Sequence, residues 1–288
     1  MSKNSDNFGK IYVVATPIGN LGDMSPRAVE VLKAVDLVLA EDTRHSLPLL
    51  RHFLIQTRCQ AFHEHNEKQM ADKLCDRVQQ GESIAIISDA GVPLISDPGF
   101  PLVKTAHERG IQVVPIPGAC AAISAISVSG LATDRFCFEG FLPAKRSARQ
   151  TTLKALKSET RTLVFYESPR RLIDTLEDMQ EVFGENRPVV LARELTKLFE
   201  TVIKAPVAEL LVLVKSDENQ CKGEIVLLLE GAPESEEATQ SIDLENMLQV
   251  LMDELPLKQA VNIATKLSGL KRNQVYSQAL TMKKQRDL

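Results

Sequence analysis

Short, nearly continuous apolar runs alternate with amphipathic stretches along the first half of the chain. The runs fall at residues 11–14, 37–39, 84–87 and 113–114. Residues 26–34 between the first two runs place their apolar side chains at helical spacing. Buried strands of a parallel sheet are apolar on both faces, whereas the helices covering them are apolar on one. The pattern predicts an α/β fold with a mostly parallel sheet.

A second set of apolar runs follows Gly118, at residues 163–166, 189–192 and 225–229. Two sets of strands, each interleaved with helical segments, indicate two α/β lobes. We expect an N-terminal lobe over residues 8–117 and a second lobe over residues 118–232, with a cleft between them.

The composition changes after the second lobe. Residues 233–242 are small, polar and acidic, which is typical of a linker. Residues 243–284 carry a purely helical pattern, in which Leu244, Met247, Leu248 and Leu251 share one face and Gly269 separates two later helices. This arrangement resembles a helix-turn-helix. It suits either a small helical bundle or an appendage that contacts nucleic acid.

Bulk composition excludes several classes of protein. The 288 residues carry a net charge of −4, so attraction of RNA would depend on local basic surface. The five cysteines form no Cys-x-x-Cys pair, which disfavours a zinc site or a disulfide framework. The first ten residues lack the apolar core of a signal peptide, and no apolar run approaches the roughly 18 residues of a membrane span. We therefore expect a cytoplasmic protein without membrane contact.

Small, glycine-bearing and ionisable residues follow nearly every predicted strand. Ligands of open parallel sheets bind beyond the carboxyl ends of the strands, so these segments predict a binding cleft. The chain has no Gly-x-Gly-x-x-Gly and no Walker loop, which disfavours dinucleotide dehydrogenases and P-loop phosphotransferases. The segments are TPIGN at 16–20, AEDTR at 40–44, SDAG at 88–91, SDPG at 96–99, FYESP at 165–169 and RELTK at 193–197.

Taken in order, these six motifs resemble those of the bacterial 16S ribosomal RNA cytidine 2'-O-methyltransferases, a branch of the tetrapyrrole-methylase superfamily. The resemblance extends from about Ile11 to about Ala279. Members of the branch often have threonine where this chain has Val92, so one hydroxyl contact is in question here.

The resemblance implies S-adenosylmethionine in the cleft between the lobes, a homodimer, no metal, and small-subunit 16S ribosomal RNA as the partner. It also implies which residues contact the cofactor. These are Pro17, Ser88, Asp89, Ala90, Gly91, Ile95, Cys120, Ala121, Glu167, Leu195, Gly223 and Glu224.

A ribose hydroxyl must lose its proton during methyl transfer, which calls for a nearby base. The candidates at strand ends are Asp42, His63, Asp97, Glu194 and Lys197. We favour a carboxylate from Asp42 or Asp97, with Lys197 stabilising the developing alkoxide. The sequence does not choose between the two carboxylates.

Three of the polar candidates have structural alternatives. Asp89 also suits a turn residue that caps its own loop, although its place between a buried strand and Ala-Gly favours the cofactor role. Asp42 and Arg44 suit either a structural ion pair or the orientation of substrate. His63 and His65 alternate in a way that suits metal binding, but no third ligand has a recognisable spacing, so we disfavour a metal. His63 also suits contact with the substrate.

Basic residues near the predicted cleft and in the tail are candidates for RNA contact, although such runs are usually solvated helix faces. They are Arg44, Lys145, Arg146, Arg149, Arg170, Arg171, Lys271 and Arg272. Ser168 and Pro169, beside two of them, are predicted to begin a helix. Two rival functions remain: methylation of a tetrapyrrole precursor, and RNA binding without catalysis.

Overall fold

The computed structural model describes residues 9–233 and 238–286. The chain divides into two compact units after Gly231. The first unit contains two five-stranded sheets with helices on their faces, and the second contains helices. The predicted fold class is confirmed.

The first sheet is parallel throughout, with the strand order β3-β2-β4-β1-β5. Its strands β1 to β5 are Ile11–Val14, Leu37–Ala40, Cys59–Ala61, Ile84–Ile87 and Val113–Ile116. The connecting helices α1 to α4 are Pro26–Ala34, Thr43–His52, Glu67–Gln79 and Phe100–Glu108. The predicted strand 84–87 and helix 26–34 match the structure residue for residue.

The centre of the first sheet is a point at which the chain direction switches. Neighbouring strands β1 and β4 send their connections to opposite sides, because β1 leads to β2 and β4 leads to β5. Helix α1 packs on one face and α4 on the other. Diverging loops open a crevice at such a point, which is where ligands of these sheets bind.

The second sheet has the order β6-β7-β10-β8-β9. Its strands β6 to β10 are Phe136–Phe141, Thr162–Glu167, Pro188–Arg193, Thr201–Pro206 and Ile225–Leu229. Helices α5 to α8 are Ala121–Val128, Arg146–Ala155, Leu172–Phe183 and Val207–Ser216. The sequence pattern missed β3, β6 and β9, which are less buried than the other strands.

The expectation of mostly parallel strands is wrong for the second sheet. Only β6 and β7 pair in parallel, and the other three pairings are antiparallel. Strands β8 and β9 are joined by residues 194–200 alone, which is too short for a parallel crossover. Because β10 runs against β7 and β8, its first residue, Ile225, pairs with Glu167 and Arg193 at their carboxyl ends.

The second unit consists of α9 (Ala238–Glu254), α10 (Leu257–Ser268) and α11 (Arg272–Arg286). Leu244 and Leu248 are buried against residues of α10 and α11, as their shared face predicted. Gly269 ends α10 in the left-handed conformation. Helix α9 begins inside the predicted linker 233–242, of which residues 234–237 lie outside the described residues. No helix in the described ranges combines the length and apolar character that a bilayer crossing requires.

Candidate active site

A cavity of about 380 Å³ lies between the facing edges of the two sheets. The first sheet contributes Ile18, Asp89, Ala90, Gly91, Val92, Ile95, Ser96 and Asp97. The second half of the unit contributes Ala121, Phe141, Tyr166, Glu167, Ser168, Pro169, Ala192, Leu195, Gly223, Glu224, Ile225 and Val226. The volume and mostly apolar lining with a few carboxylates are typical of a site for a small organic ligand.

Most residues assigned to the cofactor by resemblance meet in this cavity wall. They are Asp89, Ala90, Gly91, Ile95, Ala121, Glu167, Leu195, Gly223 and Glu224. The other three are chain neighbours of lining residues: Pro17 is buried next to Ile18, Ser88 is buried next to Asp89, and Cys120 is the N-cap of α5 before Ala121. The antiparallel direction of β10 explains how Gly223 and Glu224, which precede a strand, reach the same edge as residues that follow strands.

Hydrogen bonds hold the two loops at the switch point in place. The backbone of Thr16, after β1, exchanges two hydrogen bonds with Gly91, after β4, at 2.8 and 3.1 Å. The buried Ser88 hydroxyl lies 3.2 Å from the carbonyl oxygen of Ala90 and 3.3 Å from that of Gly91. These hydrogen bonds fix the backbone of both loops at the cavity.

Among the described residues, two carboxylates at the cavity edge of the first sheet, Glu41 and Asp97, form no ion pair, whereas Asp89 pairs with His45 at 3.1 Å. Burial, together with the negative charge of Glu41, raises the pKa of Asp97 to about 6. Burial and the charges of Asp89 and Glu64 raise the pKa of Glu41 as well. A carboxylate with a pKa near neutrality is well matched to accepting a proton.

Asp42, the other carboxylate favoured as base, differs from Asp97. It caps the start of α2, where it accepts a hydrogen bond from the backbone N–H of Arg44 at 2.8 Å. The guanidinium of Arg44 contacts it at 2.6 Å, and these bonds lower its pKa to about 2. Neither residue lines the cavity. Arg44 is nevertheless 87% exposed, so it remains accessible to a phosphate.

The carboxylates on the second sheet are paired. Lys197 lies 2.7 Å from Glu194 and 3.0 Å from Glu224. Its stem packs on Gly19, in the loop after β1, where a side chain would overlap it, so the two halves approach closely at this point. Although burial opposes the charged state, the hydrogen bonds that Lys197 donates to Glu194 and Glu224 raise its pKa.

Glu167, assigned to the cofactor by resemblance, is a buried acceptor with several partners. It accepts from the Thr175 hydroxyl and the Ser168 backbone N–H, each at 2.7 Å, and pairs with Arg171 at 2.6 Å. Ser168 caps a 3₁₀ turn but makes no side-chain cap bond; its hydroxyl accepts from Arg171 instead. Arg171, a candidate for RNA contact, is thus committed within the protein and is 23% exposed.

The burial of Arg149 contradicts the predicted contact of this residue with RNA. Its side chain is 3% exposed and lies 2.7 Å from Asp178, which is fully buried on α7. Burial opposes ionisation of Asp178, but hydrogen bonds from Arg146, Arg149 and Gln150 hold its pKa below the usual value. Arg149 shares the buried face of α6 with Leu153, so it fills the interface between α6 and α7.

The remaining candidates lie outside the cavity wall. His63 follows β3 and accepts a hydrogen bond from Asn66 at 3.4 Å. Lys145 and Arg170 are exposed, and Arg146 is 66% exposed while pairing with Asp178 and Glu181. Lys271 and Arg272 are exposed at the start of α11 in the second unit. Among the residues that the structure describes, no three His, Cys, Asp or Glu side chains are grouped to hold a metal ion.

Sequence reasoning missed two aromatic residues of the wall, Phe141 and Tyr166. Tyr166 belongs to the apolar run at 163–166, and Phe141 lies outside the apolar runs that predicted strands. A glycine within an aromatic stretch, as in FCFEGF at 136–141, is a sign of a β-bulge and would have identified Phe141 as a residue with an unusual direction.

Two α/β halves with a ligand cavity between their sheet edges define the architecture of one family. The family model described as Tetrapyrrole (Corrin/Porphyrin) Methylases matches residues 10–211. The chain belongs to this family. A second family model, described as RsmI C-terminal HTH domain, matches residues 238–283.

The similarity extends over nearly the whole chain to proteins named Ribosomal RNA small subunit methyltransferase I. The protein of that name from Escherichia coli O157:H7 is 55% identical over 279 residues, which is 96% of this chain and 97% of the relative. The protein from Pseudomonas aeruginosa is 54% identical and covers 94% of this chain and 97% of the relative. The resemblance inferred from the six motifs is confirmed.

Solved structures share the fold at much lower identity. Uroporphyrin-III-C-methyltransferase from Thermus thermophilus superposes with a TM-score of 0.55 at 20% identity, over 77% of this chain and 94% of that protein. Diphthine synthase superposes with a TM-score of 0.58 at 13% identity, over 77% and 90%. A further structure of the Thermus enzyme, in complex with S-adenyl homocysteine, has a TM-score of 0.53 at 16% identity, over 77% and 97%.

Proposed function

We propose that this protein uses S-adenosylmethionine to methylate the ribose 2'-oxygen of a cytidine in 16S ribosomal RNA of the small subunit. The observation that carries the proposal is the cavity itself. Motif residues from both halves of the first unit line one space, in a chain 55% identical to a protein named as a small-subunit rRNA methyltransferase.

The cavity lining suits the cofactor. Its apolar side chains, among them Ile18, Leu195 and Val226, offer a surface for an adenine ring. Asp89 and Glu224 add carboxylates that would accept hydrogen bonds from ribose hydroxyls or an ammonium group. A fold relative was crystallised with the demethylated form of this cofactor, which supports the same use here.

Asp97 is the residue that we propose as the base. When bound, S-adenosylmethionine would supply a sulfonium-activated methyl group to the ribose oxygen in line, with S-adenosylhomocysteine as the leaving group. Asp97 accepts the proton that leaves the 2'-hydroxyl, since it lines the cavity and its pKa is about 6. Asp42 is less suited because Arg44 already neutralises it. Roles for His63 and for Lys197 at the alkoxide stay predictions; in the structure Lys197 positions Glu224 at the wall.

The RNA contacts follow from the cations that remain accessible. Of the candidates that the sequence offered, those in the first unit are Arg44, Lys145, Arg146 and Arg170, and those in the second unit are Lys271 and Arg272. We propose that residues 243–284 form a separate RNA-contacting domain in addition to two methylase lobes, 8–117 and 118–232. A homodimer and a cytoplasmic location complete the proposal, and light scattering on the purified protein tests the dimer.

The decisive test supplies labelled S-adenosylmethionine and small ribosomal subunits from a strain that lacks the gene. We expect label in 16S rRNA at one cytidine, resistant to alkali on its 3' side because the 2'-oxygen is blocked. A parallel reaction with a porphyrinogen precursor tests the tetrapyrrole alternative. Label on the precursor but none on the subunits would contradict the proposal.

A further inference from the structure

Strand β6 ends at the cavity, where its last residue, Phe141, lines the wall. The pairing of β6 with β7 shifts by one residue between Phe138 and Gly140, which leaves Glu139 as the extra residue of a β-bulge. Gly140 has a φ of +64°, a backbone conformation that favours glycine. Bulges of this kind bend an edge strand and redirect the side chains beyond them.

The bulge decides which way Phe141 points. Side chains alternate between the two faces of a strand, so a regular β6 would place Phe138 and Gly140 on one face and Phe141 on the other. The extra residue instead pairs Phe141 with Tyr166. The rings of Phe138 and Phe141 consequently both contact the Tyr166 ring, with centroids 4.9 and 5.6 Å away.

Packing within the protein does not explain the position of Phe141. The residue is 55% exposed although it lines the cavity. In the described part of the chain, Tyr166 is its only aromatic neighbour, and that contact is edge-to-face, at 62°. The half-buried Tyr166 contacts the ring of Phe141 edge-to-face, and the exposed part of the Phe141 ring remains open to a ligand.

Enzymes that modify a base move its nucleotide out of the stack, and a nucleotide whose ribose reacts inside a protein cavity requires the same movement to enter it. Unstacked bases are received by aromatic side chains, because every base has a face that stacks on a ring. Phe141 offers such a ring in the same cavity wall as Asp97. The proposed base and an exposed aromatic surface thus border one space.

We propose that Phe141 is the stacking surface for the base of the nucleotide whose ribose is methylated. This inference rests on the proposed function, since it assumes a nucleotide as the methyl acceptor. The β-bulge at Gly140 directs the Phe141 ring into the cavity. Stacking holds the base to one side, so that its ribose hydroxyl lies toward Asp97.

Substitutions at Phe141 test the inference in the methylation assay with small subunits. Phe141→Ala and Phe141→Leu should lower kcat/KM by about ten- to a hundredfold, because neither side chain has a stacking face. Phe141→Tyr should stay within about threefold of the wild type. Affinity for S-adenosylmethionine, measured by calorimetry, should be unchanged in all three. Phe136→Ala is the matched control, since Phe136 is an exposed phenylalanine at the opposite end of β6.

Fluorescence gives a direct readout, because the chain contains no tryptophan. Phe141→Trp introduces a single tryptophan whose emission should be quenched by a single-stranded RNA carrying the methylated cytidine, whereas Phe136→Trp should not respond. Wild-type kcat/KM in Phe141→Leu would overturn the inference, as would an equal loss of cofactor affinity in Phe141→Ala. Absence of methyl transfer by the wild type would instead overturn the proposed function.

Discussion

The carboxylates at the two sheet edges that face the cavity are similar in number but differ in their charged neighbours. On the first sheet, Asp97 and Glu41 sit among other carboxylates, and their pKa values are raised. On the second, Glu167 pairs with Arg171, and Glu194 and Glu224 pair with Lys197. An acid that is already neutralised binds and orients, whereas an acid held without a cation gains affinity for a proton. The first edge is therefore suited to proton transfer and the second to forming a fixed wall.

The largest effect on catalysis is expected at Asp97, where a substitution tests the difference between the two sheet edges. Asp97→Asn removes the proposed proton acceptor while keeping the shape of the side chain, so kcat should fall by about a hundred- to ten-thousandfold. Calorimetry should show cofactor affinity within a fewfold of the wild type. Asp42→Asn is the matched control, because Asp42 is paired with Arg44 outside the cavity wall. If Asp97→Asn turns over normally, the difference between the two edges has no catalytic meaning.

The ion pair of Arg149 with Asp178, in the second half of the first unit, should matter for folding rather than for catalysis. Arg149→Ala leaves Asp178 buried without its closest guanidinium, and we expect unfolding in urea to show a loss of about 3–5 kcal/mol. Lys145→Ala, at the exposed start of the same helix, should change stability by no more than about 0.5 kcal/mol. Full stability of Arg149→Ala combined with weaker RNA binding would restore Arg149 as an RNA contact.

The pH dependence sharpens the contrast. Asp97 must be ionised to accept a proton, so kcat/KM should fall about tenfold per pH unit below about pH 6, the pKa of this side chain. Asp42, whose pKa is about 2, would produce no such fall above pH 4. A rate that is flat down to pH 4.5 would exclude Asp97 as the base.

Stability offers an independent check on the same group. Between its unfolded pKa of 3.8 and its folded pKa of about 6, Asp97 binds a proton more tightly in the folded protein, so its contribution to stability falls as pH rises. Asp97→Asn cannot ionise. It should therefore match the wild type in stability near pH 4 and exceed it above pH 6.

The smallest effect, on RNA binding, is expected from the exposed cations Lys271 and Arg272. Lys271→Ala with Arg272→Ala should weaken binding to small-subunit RNA and reduce the slope of log affinity against log salt by about 2, one for each cation. Turnover at saturating substrate should remain near the wild-type value. An unchanged salt slope would mean that α11 begins away from the RNA.

The sequence by itself determined the elements and the family. Apolar periodicity is a local property, and it located strands such as 84–87 and the helix at 26–34 with their observed bounds. The motifs after β1 and β4 identified the cavity wall of the first sheet, because the carboxyl ends of parallel strands meet at one edge. The second sheet is mostly antiparallel, so that reason does not extend to its part of the wall. Edge strands such as β6 escaped this reasoning, since their exposed positions interrupt the apolar pattern.

Only the tertiary structure decided how each charge is used. Arg149 and Arg146 look alike in sequence, yet the packing of α6 on α7 buries the first against Asp178 and leaves the second 66% exposed. Asp97 and Asp42 are both acids after strands, but one lies near Glu41 within the cavity wall and the other beside Arg44. The pKa and the accessibility of a side chain depend on neighbours that are distant in sequence, and folding alone brings those neighbours together.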